Sequence, residues 1–203
     1  MGNRRSVEKA LAHVGADAVI TRDAGTIAAA SGIVVPGVGA FPKAMASLRA
    51  LGFDELIRAR AAERVPVLGI CLGMQLLLDS STEHGGASGL GLISGSVTRI
   101  DAPRLRIPHI GWNEVRFERP TPLTEGLPVA GAPFYHVHSF AARPRNPDDI
   151  VGTTEYGERF ATIVARGSVF GVQFHPEKSS ADGIAMLASF AALCGAAGAR
   201  RAA

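Results

Sequence analysis

Cysteine is nearly absent. Only Cys71 and Cys194 occur among 203 residues, too few and too far apart for a disulfide framework. A reducing, cytoplasmic setting is therefore expected, where a free thiol survives to do chemistry. No run of five or more Lys/Arg exists, although 21 basic against 18 acidic residues give a net charge of +3 and a sequence pI near 9.2. Without a basic stripe, that pI does not argue for a nucleic-acid partner. Arg200 and Arg201 raise it from an Ala/Gly-rich stretch, about 195–203, that reads as a flexible tail. The N-terminus has no apolar h-region, because Arg4 and Arg5 lead into Glu8, Lys9 and His13, and no secretory signal is read there. The most apolar stretch, Val65 to Leu78, is broken by Pro66, Gly69 and Gly73 and is shorter than the roughly 20 residues a membrane span needs. Internal repeats and long linkers are lacking too. What remains, at 47% hydrophobic and 19% charged residues, reads as one soluble globular domain over 1–203, able to bury a substantial core.

The first half alternates helix and strand patterns. Ser6 to Val14 reads as a helix stopped by Gly15. Asp17–Thr21 and Gly32–Val35 read as short buried strands, Pro42–Leu51 and Phe53–Glu63 as helices, Pro66–Ile70 as a buried strand, and Leu72 to about Asp79 as a helix. Beyond that, Leu92–Ile100, Asn113–Phe117, Phe134–Phe140, Val151–Thr154, Phe160–Ala165 and Val169–Phe174 read as strands between Gly/Pro turns. A last helix, about Ala181–Leu193, places Ile184, Leu187, Ala188 and Ala191 on one face. The expected architecture is a three-layer α/β domain with a mostly parallel sheet and antiparallel additions. No strand precedes the first helix, where a doubly wound sheet normally starts with one.

Gly69-Ile-Cys71-Leu-Gly73 has the form G-x-C-x-G between an apolar strand and a helical segment. A strand-to-helix turn this sharp leaves no room for side chains two residues to either side, hence the glycines. The thiol then stands at a helix start, where the dipole and nearby N–H groups favour thiolate. A structural cysteine in a Gly-rich turn would share the pattern, so the nucleophile needs a base. Val172-Gln-Phe174-His175-Pro176-Glu177 supplies one at the C-terminal end of a strand, with Glu177 on the same side as His175 to orient it. Pro36-Gly-Val-Gly39 follows another strand. Its glycines can aim the Val38 or Gly39 N–H at a developing oxyanion, and Leu72 N–H beside the nucleophile is the natural second donor.

Together with Pro36-Gly-Val-Gly-Ala-Phe41, Gly69-Ile-Cys-Leu-Gly-Met-Gln-Leu-Leu77, Pro108-His-Ile-Gly-Trp-Asn113, Tyr135-His-Val-His-Ser139 and Gly171-Val-Gln-Phe-His-Pro-Glu-Lys178, these residues resemble the class I, triad-type glutamine amidotransferases. Within that family the likeness is to the glutaminase subunits of imidazole glycerol phosphate synthase, and it runs from Met1-Gly-Asn3 to about Phe190. The resemblance implies a flavodoxin-like three-layer fold and hydrolysis of glutamine to glutamate and ammonia. It casts Cys71 as nucleophile, His175 as proton shuttle and Glu177 as its orienting group. Gly37, Val38, Gly39 and Leu72 correspond to the oxyanion hole, and Gln75, Glu83, Ser139 and Phe140 to the substrate pocket. Trp112, Asn113, Tyr135, His138 and Lys178 match residues facing a cyclase subunit, which receives the ammonia, makes imidazole glycerol phosphate and AICAR for histidine biosynthesis, and activates the glutaminase when it binds its nucleotide. No cofactor, metal, nucleic acid or membrane is implied.

The sequence departs from that family in places. The family opens with a β-strand and a short loop before the Met-Gly-Asn equivalent, so about nine residues look absent and the first strand is expected to be missing. A sheet without that ladder is expected to be weakly stable, melting below about 60 °C. His136 stands where an aromatic is usual and Phe140 where tyrosine is common. His136 and His138 share a strand face without the carboxylate or thiol company of a metal site. Cys194 reads as packing, Trp112 as core or interface anchor, and His13, His84 and His109 carry no supporting constellation. Two other functions stay open at this point: a binding subunit without catalysis, and a cysteine peptidase.

Overall fold

The structure is a computed structural model describing residues 4–202, with side chains to Ala199. Expectations for Met1–Asn3 and for the side chains of Arg200 and Arg201 lie outside the described residues. Helix α1 (Arg4–His13) buries Val7, Ala10 and Leu11 along one face. It ends at Gly15, whose φ of +82° lets the Gly15 N–H reach the Ala12 carbonyl and the Ala16 N–H the Leu11 carbonyl, a left-handed stop that suits glycine.

The strand expected at Asp17–Thr21 does not form. The segment has no ladder partner among the described residues, and Val19 and Ile20 are 67% and 42% exposed. An apolar pattern makes a strand only beside a neighbour that takes its backbone groups. A short helix, α2 (Ala24–Ala29), follows instead, capped by Asp23, whose Oδ2 accepts the Thr26 N–H at 2.6 Å.

Strand β1 (Ile33–Gly37), helices α3 (Phe41–Ala50) and α4 (Phe53–Ala62), and strand β2 (Val67–Cys71) come next. The helix expected from Leu72 to about Asp79 is only α5 (Leu72–Leu76). Leu78 onward is claimed by β3 (Leu78–Ser81), which pairs antiparallel with β4 (Ala87–Ser88) and parallel with β5 (Ile93–Arg99). Sheet hydrogen bonds outbid continued helix there. Six strands complete the sheet: β6 (His109–Phe117), β7 (Ala132–His138), β8 (Phe140–Pro144), β9 (Ile150–Tyr156), β10 (Glu158–Arg166) and β11 (Val169–Val172). The strand read at Phe134–Phe140 is therefore two strands that part at Ser139. Helix α6 (Ser180–Ala202) runs on through the stretch expected to be a tail, and Ala197 is buried. By length and apolar composition its Ser180–Ala199 part could cross a membrane, yet here Met186, Leu187 and Phe190 are fully or almost fully buried in the core.

The strand order is β1-β2-β11-β10-β8-β5-β3-β4, with β9 on β10, β6 on β9 and β7 on β6. The parallel set β1-β2-β11 is the part that matters for chemistry, and it joins the antiparallel strands through β11 and β10. One core packs α1 and α6 onto Leu68, Ile70, Val172 and Phe174. The other packs α3, α4 and α5 onto Ile33, Val35, Val67 and Val164. The sheet is thus the middle of three layers.

The outer edge of β1 has no partner among the described residues. Ile33 turns its N–H toward the β2 side, onto Pro66 O at 2.8 Å. By alternation, Val34 and Pro36 face the open edge, and Pro36 has no N–H to offer there. Between this edge, α1, the extended 17–22 segment and α6 lies a slot of about 1360 Å³ lined by Val7, Leu11, Val19, Ile20, Ile27 and Phe190 among others.

Candidate active site

Register assembles the site. Gly37 lies beside Cys71 across β1 and β2, and Ile70 beside Val172 across β2 and β11. The segments leaving these three parallel strands therefore emerge at one sheet edge, the carboxyl edge where open α/β folds place their ligands.

Cys71 ends β2 with φ 55° and ψ −112°, a strained conformation for a residue with a side chain. The two flanking glycines make the turn possible. A Cβ on Gly69 would lie 2.6 Å from backbone atoms of Gly73 and Met74, and one on Gly73 would lie 1.7 Å from the Val35 carbonyl oxygen. The close backbone approach expected of a nucleophile elbow is present. The Cys71 Sγ is 3.7 Å from the Val137 carbonyl oxygen and 3.8 Å from Gln173 Nε2.

His175 leaves β11 next to the thiol. Its Nδ1 is 2.9 Å from Glu177 Oε1, in a pair almost wholly out of solvent. Burial alone would lower the imidazole's pKa, but hydrogen bonds to Cys71 and to Glu177, with their charges, outweigh it and raise the value to about 9. A backbone clamp fixes the base. The His175 N–H donates to Tyr135 O at 2.9 Å, the Ser179 hydroxyl donates to His175 O at 2.7 Å, and the same hydroxyl accepts the Tyr135 N–H at 3.0 Å.

A cavity of about 350 Å³ opens over the thiol, lined by Val38, Gly39, Leu72, Gln75, Glu83, Ser139, Phe140 and His175 among others. The expected substrate residues Gln75, Glu83, Ser139 and Phe140 are therefore brought to one space with Cys71 and His175. So are Val38, Gly39 and Leu72 from the expected oxyanion set, while Gly37 sits one residue back, packed on the Leu72 side chain. Gly39 has φ +103°, a conformation few other residues adopt. Glu83 accepts the Phe41 N–H at 2.7 Å, which holds its carboxylate at the cavity wall.

The expected partner-facing residues divide. Trp112 is 54% exposed and packs edge-on against Tyr135, with ring centroids 6.2 Å apart, and Lys178 Nζ lies 5.7 Å over the Tyr135 ring. With exposed Ile110 they form an outward apolar patch with a cationic rim. His138 and Asn113 lie on the opposite face of β6–β7. His138 is buried and faces the cavity side, because strand alternation turns it away from Tyr135.

His138 joins a cluster that sequence reasoning leaves unassigned. Asn113 Nδ2 sits 3.3 Å from His109 Nε2, His109 Nδ1 sits 3.1 Å from His138 Nε2, and His138 Nδ1 donates to Phe140 O at 2.8 Å. Since the carbonyl can only accept, the donors all point one way and both rings are neutral. His136 is neutral too, donating from Nδ1 to Phe134 O and accepting from the Thr162 hydroxyl. Burial is the main cause that lowers His138 to about 3, His109 to about 4 and His136 well below the ordinary value. Every nitrogen of the three rings has a partner, so the cluster is packing and hydrogen-bonding material. Among the described residues no group of three side chains is disposed to hold a metal ion.

Gln173 is the second residue missed. It is completely buried between the thiol and Gln75. Its only signal in the sequence is an amide inside the otherwise apolar Val169–Phe174 run.

Comparison with known proteins matches residues 1–193 to the glutamine amidotransferase class-I family. The chain is 50% identical over 193 residues to imidazole glycerol phosphate synthase subunit HisH of Moorella thermoacetica, covering 95% of this chain and 91% of that protein. It is 48% identical over 200 residues to the same subunit of Methylococcus capsulatus, covering 94% and 91%. Among solved structures, a glutamine amidotransferase superposes with a TM-score of 0.74 at 20% identity, covering 96% of this chain and 95% of that one. The glutaminase domain of Trypanosoma brucei CTPS with bound acivicin does so with a TM-score of 0.66 at 17% identity, covering 95% and 88%. At those identities the structural matches speak to the fold.

Proposed function

The chain belongs to the glutamine amidotransferase class-I family, and from that premise we propose that it is the glutaminase subunit of an imidazole glycerol phosphate synthase. It hydrolyses L-glutamine to glutamate and ammonia in the cytoplasm and hands the ammonia to a cyclase subunit. The observation that carries this reading is the strained Cys71 elbow sharing one cavity with His175, whose far nitrogen is held by Glu177.

The residues divide the chemistry as follows. The Cys71 sulfur, its proton already passed to His175, adds to the side-chain amide carbon of glutamine. The amide oxygen becomes an oxyanion, met by the Leu72 N–H and by N–H groups of the Gly37–Gly39 loop. As the C–N bond breaks, His175 gives that proton to the leaving nitrogen and ammonia departs, leaving a glutamyl thioester. A water then loses a proton to His175 and attacks the thioester carbon. Glutamate leaves, and the sulfur is released as thiolate beside the reprotonated His175. Glu177 keeps the imidazole in the working orientation. Glu83 and Gln75, on the cavity wall, take the amino-acid end of the substrate. The patch of Ile110, Trp112, Tyr135 and Lys178 docks the cyclase.

The test is a paired assay with a cyclase subunit. Cys71→Ala is expected to abolish glutamate release and glutamine-dependent product while ammonia-dependent synthesis by the complex stays intact. Loss of the ammonia-dependent reaction as well would overturn the division of labour. Peptide cleavage without glutamine turnover would overturn the substrate.

A further inference from the structure

Gln173 occupies a position that the steps above do not use. Its side chain has no exposed surface and its backbone N–H is tied to Thr162 O at 2.8 Å, so the amide cannot swing away. Which end of it faces the sulfur follows from its neighbours. Gln75 Nε2 lies 3.0 Å from the Phe140 carbonyl oxygen. A carbonyl only accepts, so the Gln75 NH₂ must point there. The second hydrogen of that NH₂ meets Gln173 at 3.0 Å, and Gln173 must present its oxygen to receive it. The remaining end of Gln173, its NH₂, then faces Cys71 Sγ at 3.8 Å. His138 Nδ1, donating to the same Phe140 oxygen at 2.8 Å, reinforces this polarity.

We propose that Gln173 is a dedicated N–H donor to the sulfur of Cys71, locked in that sense by Gln75 and Phe140, and that it holds the nucleophile in its thiolate form. This rests on the reading of Cys71 as nucleophile. His175 can stabilise the thiolate only while it keeps the proton it has taken. An amide donor supports the anion whatever the state of the imidazole. Its bond strengthens on ionisation, because donors to charged acceptors form the stronger hydrogen bonds. The Val137 carbonyl, 3.7 Å from the same sulfur, can accept from a thiol but offers a thiolate nothing, so a donor such as the Gln173 amide, 3.8 Å away, has to supply the compensation. Gln75 acquires a second role: besides lining the cavity, it fixes which way its neighbour points.

The experiment reads thiol reactivity without glutamine, so its outcome is separate from that of the glutaminase assay. The rate of Cys71 alkylation by iodoacetamide is followed against pH in the full chain, wild type and Gln173→Met, with the melting temperature recorded for each. Cys194→Ser in both backgrounds removes the second thiol. The variant is expected to shift the alkylation midpoint upward by about one pH unit, corresponding to about tenfold less thiolate below it. An unchanged midpoint in a folded variant overturns the proposal. Should Gln173→Met fail to fold, the wild type still decides. The Gln173 side-chain NH₂ resonances in ¹⁵N spectra should move with pH through the same midpoint as alkylation, and a flat response overturns the proposal.

Discussion

The reactive cysteine depends on what its neighbours lack. Cys71 holds a positive φ only because Gly69 and Gly73 let the strand end, the helix start and β1 pass within atomic contact. Gly73→Ala would drive a Cβ to 1.7 Å from the Val35 oxygen, and backbone on both sides resists moving. The expected cost is about 3 kcal/mol or more, measurable as a lower urea midpoint with unchanged slope. A change under 1 kcal/mol would show the elbow to be looser than drawn. At this scale the sequence was highly informative, because steric necessity leaves a spacing: G-x-C-x-G, His-x-Glu and the Gly-x-Gly loop all read directly. Gln173 and His109 did not. A buried polar side chain inside a strand has no periodic signature, and its meaning depends on what lies across the sheet, which here is a thiol for one and an imidazole for the other.

The ladder β6–β7 carries three neutral imidazoles into the interior, so protons should act on it. For His109 and His138 the folded pKa values, about 4 and about 3, lie below the ordinary 6.5. The unfolded chain therefore binds more protons between those limits, and stability falls as pH drops from 6.5 toward 4. His175 has the opposite sign. Its folded value of about 9 means its contribution is complete below pH 6.5 and is lost as pH rises through 9. Thermal melts across pH 4.5–9.5 are expected to peak near neutrality. His136→Phe, which removes one buried imidazole, should flatten the acid limb and leave the alkaline limb alone. An acid limb as steep as wild type would remove the cluster from the account. Elements were legible where one face of a helical pattern is buried, as in α1, α3 and α4, and where a continuous apolar run is buried on both faces, as in β2 and most of β10. They were misread where tertiary partners decide. Asp17–Thr21 finds no strand partner among the described residues and Leu78–Ser81 finds one.

As a whole, the molecule is a three-layer sandwich whose reacting edge is finished and in which, among the described residues, no strand lies beyond β1. Alternating helix and strand signals made the layering readable. The order of strands was not, since nothing local says that β11 inserts between β2 and β10. The slot beside β1, about 1360 Å³ and lined in part by exposed Val19 and Ile20 and half-buried Ile27 and Val34, has a calorimetric consequence. Heat capacity rises on unfolding because apolar groups meet water for the first time, and these groups already meet it in the native state. For 203 residues the ordinary increment of about 12–15 cal/mol/K each gives about 2.4–3.0 kcal/mol/K. Scanning calorimetry over a series of pH values is expected to return a value below that range, and one inside it would mean the slot is closed in solution. A small increment also broadens the stability curve. Warming and cooling would then change the balance between folded and unfolded chains less steeply than is usual for a protein this size.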